Sequence, residues 1–488
     1  MTESVIKKAF LGKLNDPDPE VRLSAVKKAK SEKEERPKKE IRQPEPRSAS
    51  TIKTDNMLAE MIWDGGKAKF IFCNGQGKIE ESDSIGSVVP FSGDMVVKGV
   101  VLFPSAAEEY GSEEKLLVDI REFIHRYVDV SEFFERLSSY YVLFTWLFDD
   151  FNTLPYMRVL GDYGSGKTRY LQTVGHICYK PMFAGGATTP SPVFRIIEMF
   201  HGTLVLDEAD FRESEEWSEI IKILNCGFQA GFPVLRTEES DGKREPKAYD
   251  CYSPKILATR QEFRDKALES RCLTEKIMET NRDDIPLILG PDFFEGARNL
   301  RNRLLMFRFR HYGKHKIDLT LQDRTIEKRL NQVIIPLYSI IGEAKIKEEV
   351  GVFLREYNQQ LIADRGEQFE AELLRTMFEI LNERLDDGTI NEKLYLNDIV
   401  HRMNDGCGEK DKVTAHKISW LLRKKLFIGN NKDRIGRSVN WDVPGFFKLI
   451  KRFGVCDVAT FVTFTTRTSS NRHTHKETTI VTFGGSPP

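Results

Sequence analysis

Gly161-Asp-Tyr-Gly-Ser-Gly-Lys167-Thr168 sets a cation and a hydroxyl at the end of a glycine-rich turn, directly after the apolar run Tyr156-Met-Arg-Val-Leu160. These residue types at this spacing suit the wrapping of a polyphosphate. Gly161, Gly164 and Gly166 let the backbone bend round an anion and turn its N–H groups inward, at the positive end of the helix expected from Arg169 to Cys178. Ser165 and Arg169 complete the cradle. Lys167 would reach the β- and γ-phosphates, and the Thr168 hydroxyl would hold a metal ion, so ATP with Mg²⁺ is the expected ligand pair.

Two further strands are needed to surround such a loop. Gly202-Thr-Leu-Val-Leu-Asp207-Glu208 is an apolar run ending in two acids, which a buried parallel strand would deliver at its C-terminal end. Asp207 would position Mg²⁺ together with Thr168, and Glu208 would orient and polarise an attacking water. Pro254-Lys-Ile-Leu-Ala-Thr259 is a third such run, ending in a small polar side chain, and Ala267-Leu-Glu-Ser-Arg271 follows it.

With these four motifs in this order, the stretch from about Leu154 to Arg310 resembles the AAA+ superfamily of ATPases, in the division that includes ring helicases of plasmids and viruses. The resemblance implies a homo-oligomeric ring. It also implies that Thr259 senses the γ-phosphate and that Arg271 acts as a finger reaching a neighbour's site, where a guanidinium compensates charge on the transferred phosphoryl group. The plain alternative for Arg271 is an ion pair with Glu269 or Asp265, and Arg260 and Arg264 compete for the finger role. The resemblance further implies a lid arginine on the γ-phosphate, Arg298 or Arg301 of the amphipathic helix Asp292 to Arg310, with a plain basic helix face as the alternative.

Between the second and third strands, the β-like runs Phe232 to Arg236 and Tyr249 to Tyr252 flank an Asp-Gly turn. The arrangement resembles the pore hairpin of the same helicases. In a ring, Lys243, Arg244 and Lys247 would line the channel and track phosphates, while Glu238, Glu239 and Glu245 make a solvated tip of mixed charge the plain alternative.

Around this motor the chain divides by composition. Residues 1–30 carry a short helical segment that resembles the second-helix start of a HEAT repeat, and 31–50 is a charged, apolar-poor linker. A small β-rich module is expected over 51–110, with Lys69-Phe-Ile-Phe72, Ser87-Val-Val89 and Met95 to Phe103 as strands. Helices at about Glu113–Tyr127 and Glu132–Phe148 fill 111–153. The ATPase core spans 154–280 and an α-helical lid or collar 281–388. Over 389–445, helix, turn, helix and a basic two-stranded wing resemble a winged-helix domain. There Lys417, Arg423 and Lys424 would face a groove, with Lys432, Arg434 and Arg437 on phosphates. Residues 446–488 form a Thr- and Ser-rich tail.

The whole is expected to be α/β: a P-loop NTPase core with a parallel sheet, a helical lid, a C-terminal winged helix and a small N-terminal β-rich module. At 488 residues, 40% hydrophobic and 30% charged, the composition is that of a soluble multidomain protein. A net charge of −1 confines any DNA contact to local patches. The seven cysteines show no metal-ligand spacing and suit a reducing cytoplasm. No apolar run is long enough to span a membrane. The reading is an ATP-driven DNA helicase or translocase of a mobile element or virus. Two others stay open: a nucleotide-gated switch or defence-type protein whose N-terminal region meets a protein partner, and a DNA-binding initiator or regulator that does not unwind.

Overall fold

The computed structural model describes residues 20, 47–73, 78–185, 188–207, 215–240, 243–366, 368–386, 393–406, 408 and 412–456. Apart from Glu20, the short helical segment expected within 1–30, most of the linker and nearly all of the tail lie outside the described residues. Two compact units divide the chain: Met1–Gly99 with Pro104–Ala106, and Val100–Phe103 with Ala107–Pro488.

The first unit contains β1 (Arg47–Ala49), β2 (Thr51–Thr54), β3 (Met57–Trp63), β4 (Ala68–Cys73), β5 (Ile79–Ser82), β6 (Val88–Pro90) and the short helix α1 (Asp94–Val97). β2 to β5 form an antiparallel meander, and the cross-strand partners Met61 and Phe70 are fully buried in it. β1 lies in the stretch expected to be linker. Its pairing with β6 is a backbone ladder that needs no apolar side chain. The strand expected from Met95 to Phe103 is corrected. Lys98 pairs with Asp94 one helical turn earlier at 2.6 Å, and Gly99 breaks the extended run with a φ of 66°.

In the second unit, α2 (Glu113–Tyr127) and α3 (Glu132–Thr145) begin where serine can cap them. Ser112 accepts from Lys115 N at 3.2 Å and Ser131 from Phe134 N at 3.1 Å. α3 stops short of the expected Phe148. The chain tightens into i−3 bonds at Trp146 and Leu147, then a 3₁₀ turn over Phe148–Asp150. Next come β7 (Tyr156–Leu160), α4 (Lys167–Gly175), β8 (Met182–Ala184), α5 (Pro190–Phe200), β9 (Leu204–Leu206), α6 (Glu215–Cys226), β10 (Val234–Ser240), β11 (Lys243–Tyr249), β12 (Lys255–Thr259), α7 (Lys266–Glu269) and β13 (Cys272–Lys276).

Five of these strands make one sheet, in the order β13-β7-β12-β9-β8, with every neighbouring pair parallel. β7, β9 and β12 are mostly apolar, as burial on both faces favours, with Arg158 and Lys255 as buried charged exceptions. α3 is fastened to this sheet. The Tyr141 hydroxyl lies 3.0 Å from Lys255 O, and Trp146 Nε1 donates to Ile177 O at 3.1 Å.

Beyond the sheet run α8 (Pro291–His311), α9 (Lys328–Ile340), α10 (Ala344–Gly366) and α11 (Phe369–Asp386), then β14 (Leu394–Tyr395), α12 (Leu396–Asn404), α13 (Ala415–Lys424), β15 (Gly429–Lys432), β16 (Arg437–Asn440) and α14 (Val443–Phe453). The last three strands pair antiparallel in the order β14-β16-β15. From α11 onward they share one core that includes Leu374, Met377, Ile399, Ile418, Leu422, Phe446 and Ile450. The expected boundary at 445 therefore cuts a helix. Asp442 caps α14, accepting from Gly445 N at 2.7 Å, and Phe446 and Ile450 complete the core from beyond that point. Among the described residues no helix is long and apolar enough to cross a membrane.

Candidate functional site

The sheet order decides what meets at its C-terminal edge. β12 lies between β7, which runs into the glycine-rich turn, and β9, which runs into Asp207. Thr259 closes β12 beside that turn, and its carbonyl accepts from Gly161 N at 3.2 Å. Three motifs far apart in sequence thus end side by side.

The turn has the shape its glycines permit. A Cβ on Gly161 would lie 2.3 Å from the Ile277 carbonyl oxygen, so no side chain fits there. Gly164 and Gly166 hold φ values of 76° and 91°, the left-handed region that glycine enters without cost. Gly166 is also the N-cap of α4, so the first free N–H groups of that helix open into the turn. The Ser165 hydroxyl donates to Asp162 O at 2.8 Å and braces the loop from within. Lys167 Nζ folds back on the Gly161 and Asp162 carbonyls at 2.7 and 2.6 Å.

Thr168 Oγ1 donates to Asp207 Oδ2 at 2.8 Å. A hydroxyl and a carboxylate oxygen together are the hard donors Mg²⁺ takes. Thr259 Oγ1 is buried and has no hydrogen-bond partner among the described residues, a costly state for a hydroxyl. The cradle that excludes a Cβ and the oxygen pair both fit a polyphosphate with a divalent cation. A cavity of about 310 Å³ opens here, lined by Tyr163 to Arg169, Asp207 and Arg260. Glu208, the expected water-polarising base, lies outside the described residues.

Arg169 lines the cavity and also braces its surroundings. Its guanidinium donates to Pro286 O at 2.8 Å and Leu287 O at 2.7 Å, tying the segment after β13 to the first turn of α4. Tyr163 was not singled out by the sequence. It is 77% exposed, with the Arg260 guanidinium stacked 3.6 Å from its ring centroid. An exposed aromatic in the variable part of the turn was the available signal.

Arg271 is placed away from the pocket. It is only 5% exposed, its guanidinium lies 3.9 Å from the centroid of Phe228, and it donates to Asn225 Oδ1. Burial draws its pKa below the usual arginine value. Within its own chain this guanidinium is enclosed by Asn225 and Phe228. No direct ion pair joins Arg271 to Glu269 or Asp265 among the described residues, though the Asp265 charge acts on it. Glu269 is taken by Arg158 of β7, whose Nη1 donates to Oε2 at 2.6 Å, with a second bond from Nη2 to Oε1. Asp265 is the N-cap of α7, accepting from Ala267 N at 2.8 Å and Leu268 N at 3.1 Å. Arg301 is likewise remote from the phosphate turn. It donates to His176 O at 2.5 Å, at the opposite end of α4. Arg298 is exposed and does not line the cavity.

The basic hairpin is longer than expected, since its strands pair from Val234–Tyr249 out to Ser240–Lys243. Arg244 approaches Glu239 and Lys247 approaches Glu238, each at 3.7 Å, and both basic side chains are largely exposed. Lys243 opens β11, but its side chain lies outside the described residues. Near the C-terminus, Lys417, Arg423, Lys424, Lys432, Arg434 and Arg437 are all exposed, on α13, on β15 and β16, or on the turn between those strands. Lys417 Nζ lies over the Phe369 ring at 4.5 Å.

No family model and no curated protein matches the chain. Among solved structures, an apo form of the NrS-1 C-terminal region is similar at 11% identity and a TM-score of 0.32, over 79% of this chain and 96% of that one. A second apo structure of that region, designated 305–718, gives 10% and 0.30, over 78% and 96%. JCV helicase bound to a thiazolopyridine acetamide gives 12% and 0.22, over 51% and 62%. Likeness at these scores decides nothing about what the chain does. What stands is a mixed α/β fold with a parallel five-stranded sheet.

Proposed function

We propose that this chain is an ATP-hydrolysing motor of the AAA+ type, a P-loop NTPase that assembles as a homo-oligomeric ring and moves or unwinds DNA. One observation carries the reading: the Gly161–Thr168 turn, Asp207 and Thr259 lie at the ends of three adjacent parallel strands, with Thr168 bonded to Asp207. Lys167 would exchange two loop carbonyls for phosphate oxygens, a stronger charge-assisted contact. Thr168 and Asp207 would hold Mg²⁺, which when bound neutralises charge on the β- and γ-phosphates. Glu208 would draw a proton from water, and Thr259 would donate its hydroxyl toward the terminal phosphate.

The remaining basic residues serve DNA in this reading. Exposed ion pairs such as Arg244–Glu239 contribute little, so phosphates can replace the carboxylates at small cost. Lys243, Arg244 and Lys247 would track a strand through the ring. The C-terminal module would act as a winged helix, α13 carrying Lys417, Arg423 and Lys424, and the β15–β16 wing carrying Lys432, Arg434 and Arg437.

Hydrolysis measured with and without single-stranded DNA, beside a strand-displacement assay, tests this function. Stimulation by DNA together with displacement is expected. Turnover indifferent to DNA would leave a nucleotide-gated switch, and stimulation without displacement a non-unwinding regulator.

A further inference from the structure

The stretch 413–440 holds seven lysines and arginines against one acid, Asp433, in a chain whose net charge is −1. That carboxylate is occupied by its own turn, accepting from Ile435 N and Gly436 N at 2.9 Å each. α13 sets an aromatic among the cations. Ile418, Leu421 and Leu422 are buried in the core, so the opposite face carries Lys417, Trp420 and Lys424, spaced three and four residues apart. Trp420 is 45% exposed. Asn430 Nδ2 of β15 donates to Ser419 Oγ at 2.9 Å, which fixes that strand beside the helix.

A second aromatic stands just past α13. Ile428 N donates to Leu422 O at 2.8 Å, a helix-ending bond that leaves the residue before it left-handed. Phe427 takes that position, with a φ of 55°, where glycine is usual, and it is 86% exposed. Core packing does not explain a ring that sits in water on a strained backbone. Flat rings interleaved with cations suit a single strand, whose phosphates meet the cations while its open base faces stack on the rings. A duplex hides those faces within its stack and shows a helix only base edges.

We propose that this face holds unpaired nucleotides of a DNA strand, with Trp420 and Phe427 stacking on bases while Lys417, Lys424 and Lys432 meet phosphates. The inference rests on the DNA reading above and alters what the module holds, an open strand in place of a duplex groove.

Fluorescence anisotropy on the full chain tests it, with a labelled oligothymidylate, an abasic strand of equal length and a duplex. A Lys243→Ala, Arg244→Ala, Lys247→Ala background keeps the hairpin from masking the result. In that background, Trp420→Ala with Phe427→Gly should weaken oligothymidylate by about tenfold or more, and the abasic strand by less than about twofold. Lys424→Ala should weaken both strands alike. Trp420→Phe, which retains a ring, should keep most of the affinity. The melting temperature of Phe427→Gly should not fall, because glycine enters the left-handed region without strain. Equal weakening of the two strands by the aromatic variant, no weakening of either, or a preference for duplex over oligothymidylate would overturn the proposal and leave the DNA reading standing. Failure of the unaltered chain to bind any of the three would instead overturn the DNA reading, and this proposal with it.

Discussion

Thr168 Oγ1 donates to Asp207 Oδ2 at 2.8 Å, so the start of α4 and the end of β9 are held within reach of one ion. Both groups stay open to solvent. Asp207→Asn and Thr168→Ala should each lower Mg²⁺-dependent turnover by about a hundredfold or more. The Mg²⁺ concentration for half-maximal rate should rise, while metal-free nucleotide binding persists. Unaltered Mg²⁺ dependence in both variants would remove the pair from the metal site.

Arg158 and Glu269 form a pair almost closed to water, with Glu269 also accepting from Phe263 N at 2.9 Å. Removing only the acid leaves a buried guanidinium without its partner. Glu269→Ala should therefore destabilise the fold by about 3–5 kcal/mol. Replacing both by apolar residues of similar volume should recover most of that loss. Chemical denaturation of the single and double variants measures the difference.

His176 sits at the C-cap of α4, where burial draws its pKa from 6.5 down to about 4. The unfolded imidazole takes up its proton near pH 6.5, whereas the folded one stays neutral until about pH 4. Stability therefore rises with pH across that window and is lost as pH falls through it, by about 2 kcal/mol at pH 4.5. Denaturation at pH 7 and 4.5 should show this loss, and His176→Phe should reduce it.

What could be read from sequence was whatever local chemistry dictates. The glycines of the turn answer to left-handed backbone and a close carbonyl, and Ser112 and Ser131 cap the helices they precede. What escaped depends on partners remote in sequence. β3 reads Met-Leu-Ala-Glu-Met-Ile-Trp, rich in helix formers, yet it is a strand. Its Glu60 is buried and accepts from Thr51 Oγ1 across the meander at 3.0 Å. The enclosure of Arg271 was not legible because Asn225 and Phe228 lie more than forty positions earlier. The hairpin strands were underestimated because charged residues have little β propensity of their own, and cross-strand pairing of Glu239 with Arg244 extends them.

Titration calorimetry of ATP with Mg²⁺ into the full chain and its Lys167→Ala variant tests the central claim most directly. Binding by the unaltered chain is expected, with at least a tenfold loss in the variant and no change in its melting temperature. Equal affinity in the two proteins, or no binding by either, would contradict the account.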